Sequence, residues 1–348
     1  MTPDLFYNRA VTERRWATIA SDRVTPPEVF FERRKFLSAV ALGMLGAAPL
    51  LSGGRSPEGK QGILDVPFER PDVFPATRNK AFPLPKEVDQ RLTPRKAAAT
   101  HNNFYEFLPG KGGPVWQDVE KFEVEPWKVE VSGKCEHPQT FDLDDLFAFE
   151  HEERLYHFRC VERWAMNVPW SGFPLGKLLE KVQPTIAARF VRFESAFKPS
   201  QMPGLKKAPF YPWPYHEALR MDEAMNELTL LATGAYGQPL LKQHGAPVRL
   251  LTPWKYGYKS PKSITKIELL AEEPKTFWQV QPHEYGFISN VNPYIPHPRW
   301  SQVISYWLDT EERFVTPIFN GYEKYVAQLY PDEPRTLQPP LRKGQTAR

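Results

Sequence analysis

The chain has 348 residues, about two average domains or one large one, and 41% hydrophobic against 25% charged residues give it enough apolar material for a core. Its 45 basic and 41 acidic residues leave a formal charge of +4, too mild to mark a nucleic-acid binder. Two cysteines exclude a disulfide framework and a cysteine-rich iron–sulfur or zinc site, and 37 prolines with 20 glycines predict strands and irregular loops rather than an all-helical protein.

Residues 1–31 are polar. Glu32-Arg33-Arg34-Lys35-Phe36-Leu37 follows, then an apolar, small-residue run to Leu51. That run falls short of the roughly 20 residues a membrane span needs. A basic region before a short apolar core reads as an export signal, and the adjacent arginines resemble the twin-arginine type. An uncleaved anchor is the alternative. Export in the folded state points to a periplasmic redox enzyme loaded with its cofactor beforehand. The expected organisation is an export segment over 1–54, an extended Pro-, Arg- and Lys-rich arm over 55–93, a folded domain over 94–325 and a polar tail over 326–348 that frays from Asp332.

Within the folded part, residues 101–110 (HNNFYEFLPG) suit a structured loop. Alternation predicts strands over 128–133, 156–161, 188–193 and 262–270. Helices are expected over 141–149, capped by Thr140, over 175–182, and over 219–228 with Asp222 and Glu223 in its first turn. Short apolar runs occupy 230–235 and 248–251. Many short strands with scattered helices argue for an α+β class. No GxGxxG or GxxxxGK[ST] supports a dinucleotide or P-loop site.

Cys160 closes an apolar strand between Arg159 and Arg163. Positive charge favours a thiolate, a soft ligand for a transition metal. Arg159 points to the opposite strand face, so its help depends on local bending. Trp164 and Trp170 are candidates to shield the site, and Arg163 with Trp164 to line its approach. The competing reading is a buried, inert cysteine. Cys135, in a turn after a strand, reads as a bystander. A Cys135–Cys160 disulfide would suit an oxidising compartment but would consume the thiolate. From His244 to Lys262 the chain interleaves Arg249, Lys255, Lys259 and Lys262 with Pro, Gly, Trp and Tyr. That pattern suits a rigid phosphate-holding loop, in which Arg249 grips and Lys262 adds a point charge. A solvated basic face is the plain alternative.

Several of these segments occur together in one family. HNNFYEF, FRCVERWAMNVPWSGFPL, FESAF, QMPG, GAPVRLLTPWKYGYKSPKSI, EYGFISNVNP, HPRWSQ and FNGY resemble the catalytic subunits of bacterial periplasmic protein-methionine-sulfoxide reductases, molybdopterin enzymes of the sulfite oxidase superfamily. The resemblance implies a mixed α+β molybdopterin-binding fold without the immunoglobulin-like dimerisation domain, hence a monomer. It implies one molybdenum-molybdopterin per chain, with Cys160 as the metal's thiolate. Asn102, Tyr105 and Glu106 would be cofactor-loop contacts. Ser195 stands where the family's usual residue is Thr, and His244 where it is Asn. Arg249 with Ser260, Pro261 and Lys262 matches the phosphate-binding part, although Ser260-Pro261 replaces Gly-Ile. Expected partners are oxidised periplasmic proteins as substrates and a haem-containing membrane subunit as electron donor, since the chain has no CxxCH of its own. The rival within the superfamily is an oxidoreductase of small sulfoxides or sulfite. A cofactor-free binding module stapled by the disulfide is the rival outside it.

Overall fold

The computed structural model describes residues 62–110, 112–342 and 344–347. The export-signal reading and the start of the arm lie outside them. No helix among the described residues is long and apolar enough to cross a membrane. Residues 59–348 form one unit containing both sheets.

The larger sheet is built around a hairpin. Strand β4 (Glu152–Arg159) pairs antiparallel along its whole length with β5 (Trp164–Pro174). The other edge of β5 is shared. Its first residues pair with β12 (Ile304–Trp307), which continues to β13 (Arg313–Val315). Its last residues pair with β8 (Leu230–Ala235), which carries β10 (Arg249–Leu251) and the short β9 (Gln238–Pro239). A two-residue β1 (Thr77–Arg78) runs parallel to β4, and Thr93 exchanges hydrogen bonds with Asn167 of β5, so the segment after residue 62 is tied to the larger sheet. The second sheet orders β3 (Gln139–Asp142), β2 (Lys128–Gly133), β11 (Ile264–Leu270), β6 (Phe190–Ser195) and β7 (His216–Arg220).

The strands of the second sheet show why alternation identified them. β2 buries Val129 and Val131 and exposes Lys128 and Glu130, so one face meets the core and one meets water. β5 is buried at every residue but its last, which leaves no alternation to read. Side chains from both sheets join one apolar cluster, including Val131, Phe193 and Ile267 from the second and Tyr156, Val168 and Leu250 from the first.

Helix α1 (Arg95–Thr100) precedes the 101–110 loop. Helix α3 (Leu175–Val182) matches its expected bounds because Leu175, Leu178, Leu179 and Val182 form one buried face. The two other expected helices are shorter. Phe141 is paired with Val129 in β3, so α2 covers only Leu143–Phe147. Its cap is Asp142, not Thr140, because the Asp142 and Asp145 carboxylates accept from each other's backbone N–H at 2.9 and 3.0 Å. Leu219 and Arg220 belong to β7, and α5 is confined to Met221–Ala224, after α4 (Pro203–Lys207). The remaining helix, α6 (Glu323–Val326), leads to the tail. That tail does not fray from Asp332: the buried Glu333 carboxylate accepts from Asn290 and Asn292 at 3.1 and 2.9 Å.

Candidate active site

The β4–β5 turn carries the thiol. β4 ends at Arg159, one residue before Cys160, rather than continuing to Val161. The Cys160 N–H donates to the Trp164 carbonyl at 3.0 Å, and the Arg163 N–H to the Cys160 carbonyl at 2.9 Å. Arg163 closes the turn at φ 80°, the left-handed region in which a non-glycine residue is strained. Arg159 does point away from the sulfur. Its guanidinium donates to Ser305 Oγ at 2.7 Å and Gln302 Oε1 at 2.6 Å, and to the Cys160 carbonyl at 3.2 Å. It therefore holds the turn's backbone and does not activate the thiol directly.

Both cysteines are free thiols, so the disulfide alternative is not realised. Burial pushes the Cys160 thiol up to about 12, with Glu162 adding to the rise and Arg159 opposing it. The charge argument that expected a ready thiolate is thus outweighed by desolvation. A metal held by this sulfur would have to displace its proton. Two donors already point at the sulfur: Asn103 Nδ2 at 3.2 Å and the Glu162 N–H at 3.5 Å. Glu162 in turn accepts from Asn103 and from the Trp164 indole at 3.3 and 3.2 Å.

Cys160 faces a cleft with about 840 Å³ of atom-free space, part of it open to solvent. The cleft brings together Asn102, Tyr105, Glu106, Arg249, Ser260, Pro261 and Lys262 with the thiol, as the sequence suggested. The loop after α1 supplies the first three. The start of β10 supplies Arg249, and the turn before β11 supplies the last three. Gly245, at φ 99°, lets the chain pass Lys262, whose Cβ would lie 2.6 Å from a side chain there.

Ser195 and His244 do not line this cleft. Ser195 ends β6, and its buried hydroxyl lies beside the Glu106 carboxyl, whose charged form it favours. His244 Nε2 lies 3.2 Å from the Ala98 carbonyl of α1, while buried Nδ1 has no partner. Burial pulls its pKa down to about 3, so the ring is neutral. The expected hydrogen-bond donor therefore spends its N–H on α1. Ser260 is also partly committed, since its Oγ accepts from the Thr252 N–H at 3.2 Å. Of the residues expected to shield the thiol, Trp164 lines the cleft. Trp170 lies deeper, 5.2 Å under the Arg249 guanidinium, and Arg163 stands over Tyr306 instead.

The four cations of the 249–262 segment separate into two pairs. Lys255 binds Glu223 and Lys259 binds Glu217, each at 2.7 Å and fully buried. Arg249 donates to the carbonyls of His244 and Ser260, and Lys262 to that of Asn103 at 2.6 Å. Burial lowers the pKa of both; Glu106 partly opposes the fall for Lys262, whereas no carboxylate does so for Arg249. Burial likewise raises that of Glu106, with Lys262 opposing. Among the described residues neither cation forms an ion pair, and two such cations lining a cleft fit a phosphate, whose oxygens would pair with them. The buried, unpartnered oxygens of Asn102 and Asn103 could accept from N–H groups on the rest of a phosphate-bearing ligand. With one thiol placed for a soft metal, the residues present fit a phosphate-bearing metal cofactor.

The sequence also offered His101, Asn102 and Asn103 as a cofactor clamp, with a capped turn as the plain alternative, but Glu162 and an aromatic wall were missed. Tyr105 and Trp278 meet edge to face at 4.9 Å, and Trp278 lies 4.9 Å from Tyr285. The Trp278 indole donates to Tyr215 Oη at 3.1 Å, and that hydroxyl donates to the Tyr258 carbonyl at 2.6 Å. The aromatic density around residues 277–287 was the available signal.

The family model described as the oxidoreductase molybdopterin binding domain matches residues 116–278. The protein-methionine-sulfoxide reductase catalytic subunit MsrP of Burkholderia mallei is 45% identical over 323 residues, covering 90% of this chain and 93% of that protein. Among solved structures, the sulfane dehydrogenase SoxCD of Paracoccus pantotrophus aligns with a TM-score of 0.41 at 17% identity, over 53% of this chain and 45% of that one.

Proposed function

The chain belongs to the family of protein-methionine-sulfoxide reductase catalytic subunits, and from that premise we propose that it repairs oxidised periplasmic proteins, with electrons from a haem-containing membrane subunit. It is an oxidoreductase with a molybdopterin-binding domain. Export by the twin-arginine route is supported by Arg33-Arg34 before the apolar run to Leu51. An external donor is supported by a sequence without CxxCH or an iron–sulfur motif.

One molybdenum-molybdopterin per chain would be held by Cys160 at the metal and by Arg249 and Lys262 at the phosphate. Asn102, Tyr105 and Glu106 would contact it from the loop after α1. When bound, this group supplies the oxygen-atom transfer in which a sulfoxide, two electrons and two protons become a thioether and water. Asn103 and the Glu162 N–H orient Cys160 Sγ and stabilise its negative charge once the proton has left. Trp164, Tyr105, Trp278 and Tyr285 exclude water from one side of the cleft. A monomeric catalytic subunit is supported by the resemblance to the version of the fold that lacks the immunoglobulin-like dimerisation domain.

The observation that carries this reading is one thiol and two cations without carboxylate partners on a single cleft. The test is metal and pterin content of protein from molybdenum-supplied cells. It is combined with reduction of methionine sulfoxide in an oxidised polypeptide, using a reduced viologen dye as donor. One molybdenum per chain, lost in Cys160→Ala, is expected together with polypeptide repair. Full loading of Cys160→Ala overturns the ligand assignment. Turnover of only dimethyl sulfoxide or sulfite overturns the repair assignment.

A further inference from the structure

A row of aromatic rings leads out of the cleft. Tyr105 and Trp278 line it. Tyr211 packs against both, at 6.0 and 5.6 Å. Phe210 packs on Tyr211 at 4.6 Å and is 77% exposed. Val280, two residues beyond Trp278, is 51% exposed. A single exposed apolar side chain is ordinary. An exposed ring continuous with the wall of a reaction cleft is not, because it extends that wall onto the surface.

The segment bearing these rings is fixed to the cleft. α4 docks on the loop that supplies Tyr105 and Glu106: the Gly204 N–H donates to the Glu106 carbonyl at 2.8 Å. A Cβ on Gly204 would lie 2.2 Å from the Tyr105 carbonyl oxygen, so only glycine permits this approach. Beyond α4, the Trp213 indole donates to the Ala208 carbonyl at 2.8 Å, closing the loop that presents Phe210. The exposed ring is therefore held at a set place relative to the cleft.

We propose that Phe210, with Tyr211 and Val280, is a docking shelf for the polypeptide whose methionine sulfoxide enters the cleft, and that it takes up apolar side chains flanking the oxidised residue. The inference rests on the repair reading above and adds where the polypeptide lies. A sulfoxide side chain is the same in a free amino acid and in a protein. Selection for proteins must come from contacts to the neighbouring residues, and the apolar surface contiguous with the cleft is where such contacts are available. Such contacts act on KM when they are equal in the ground and transition states.

The test compares holoenzyme with and without Phe210→Ser, using a reduced viologen dye. The substrates are an unfolded polypeptide carrying methionine sulfoxide and dimethyl sulfoxide. KM for the polypeptide should rise about tenfold with kcat retained. Dimethyl sulfoxide kinetics should not change, and Phe210→Leu should recover most of the loss. Unaltered polypeptide kinetics in Phe210→Ser overturns the shelf while leaving the repair reading intact, and so does an equal loss on both substrates. A loss seen only when the membrane subunit supplies electrons also overturns it, assigning the surface to the donor. Wild-type enzyme unable to reduce the polypeptide overturns both readings.

Discussion

Lys255 and Lys259 differ from Arg249 and Lys262 in one respect that decides their roles. All four lie within one short segment, and all are withdrawn from water to a large extent. The first two meet buried carboxylates from α5 and β7, and Tyr330 Oη adds a 2.5 Å hydrogen bond to Glu223. Their charge is cancelled inside the protein, and they tie the segment to the second sheet. The other two meet carbonyls, and their charge is left over for a ligand. A run of basic residues can thus be half scaffold and half binding site. The position of the carboxylates tells the halves apart, not the spacing of the bases.

Four experiments press on this contrast. The largest effect is expected for Glu217→Ala, which strands a buried ammonium. Urea unfolding should show a loss of about 3–5 kcal/mol. His157 meets burial in a third way, by giving up its proton. Its Nδ1 donates to Asn167 Oδ1 at 2.8 Å, Nε2 is buried without a partner, and burial brings its pKa down to about 4. The unfolded chain, with an ordinary histidine near 6.5, binds more protons between those values. His157 should therefore contribute a decline of about 3 kcal/mol as pH falls from about 6.5 towards 4, on top of the declines from the likewise lowered His244 and His297, and His157→Gln should remove its share and leave theirs. Arg249→Met should leave the cofactor-free chain as stable as before or slightly more so, and weaken retention of molybdenum and pterin about 10- to 100-fold, read by metal analysis after dialysis. Destabilisation of the cofactor-free chain by Arg249→Met would erase the distinction between the pairs. The smallest effect belongs to the exposed Lys177–Glu180 pair at 3.2 Å. Lys177→Ala should shift the urea midpoint by the equivalent of less than about 0.5 kcal/mol.

What could be read from the sequence follows the same physics. β2, β6, β11 and α3 each have one wet face, so their periodicity marked them. β5 has none, and Pro169 and Gly172 interrupt it, so the longest strand went unseen. β12 is four residues long and its partner β5 lies far away in the chain, while β13 is a three-residue strand at the edge beside β12. At the site, the cleft residues came from the motifs that resemble the family. The split among the four cations did not, because Glu217 and Glu223 reach Lys259 and Lys255 only through the fold. Arg159 was rightly placed on the far side of the strand. Its partners Gln302 and Ser305 were invisible for the same reason. The thiol's protonation was misjudged because neighbouring charge can be counted in a sequence, whereas burial cannot.

The shared edge of β5 has a consequence for assembly. The turn bearing Cys160 is braced by β12 and by the Arg159 contacts to Gln302 and Ser305, all more than a hundred residues later in the chain. Closing so long a loop is slow, and during synthesis the distal strand emerges after most of the polypeptide. The thiol therefore reaches its final setting only when translation is almost complete. A product truncated before residue 302 would lack the brace while still containing Cys160, Arg249 and Lys262, so a metal held by that thiol would be expected only in the full chain.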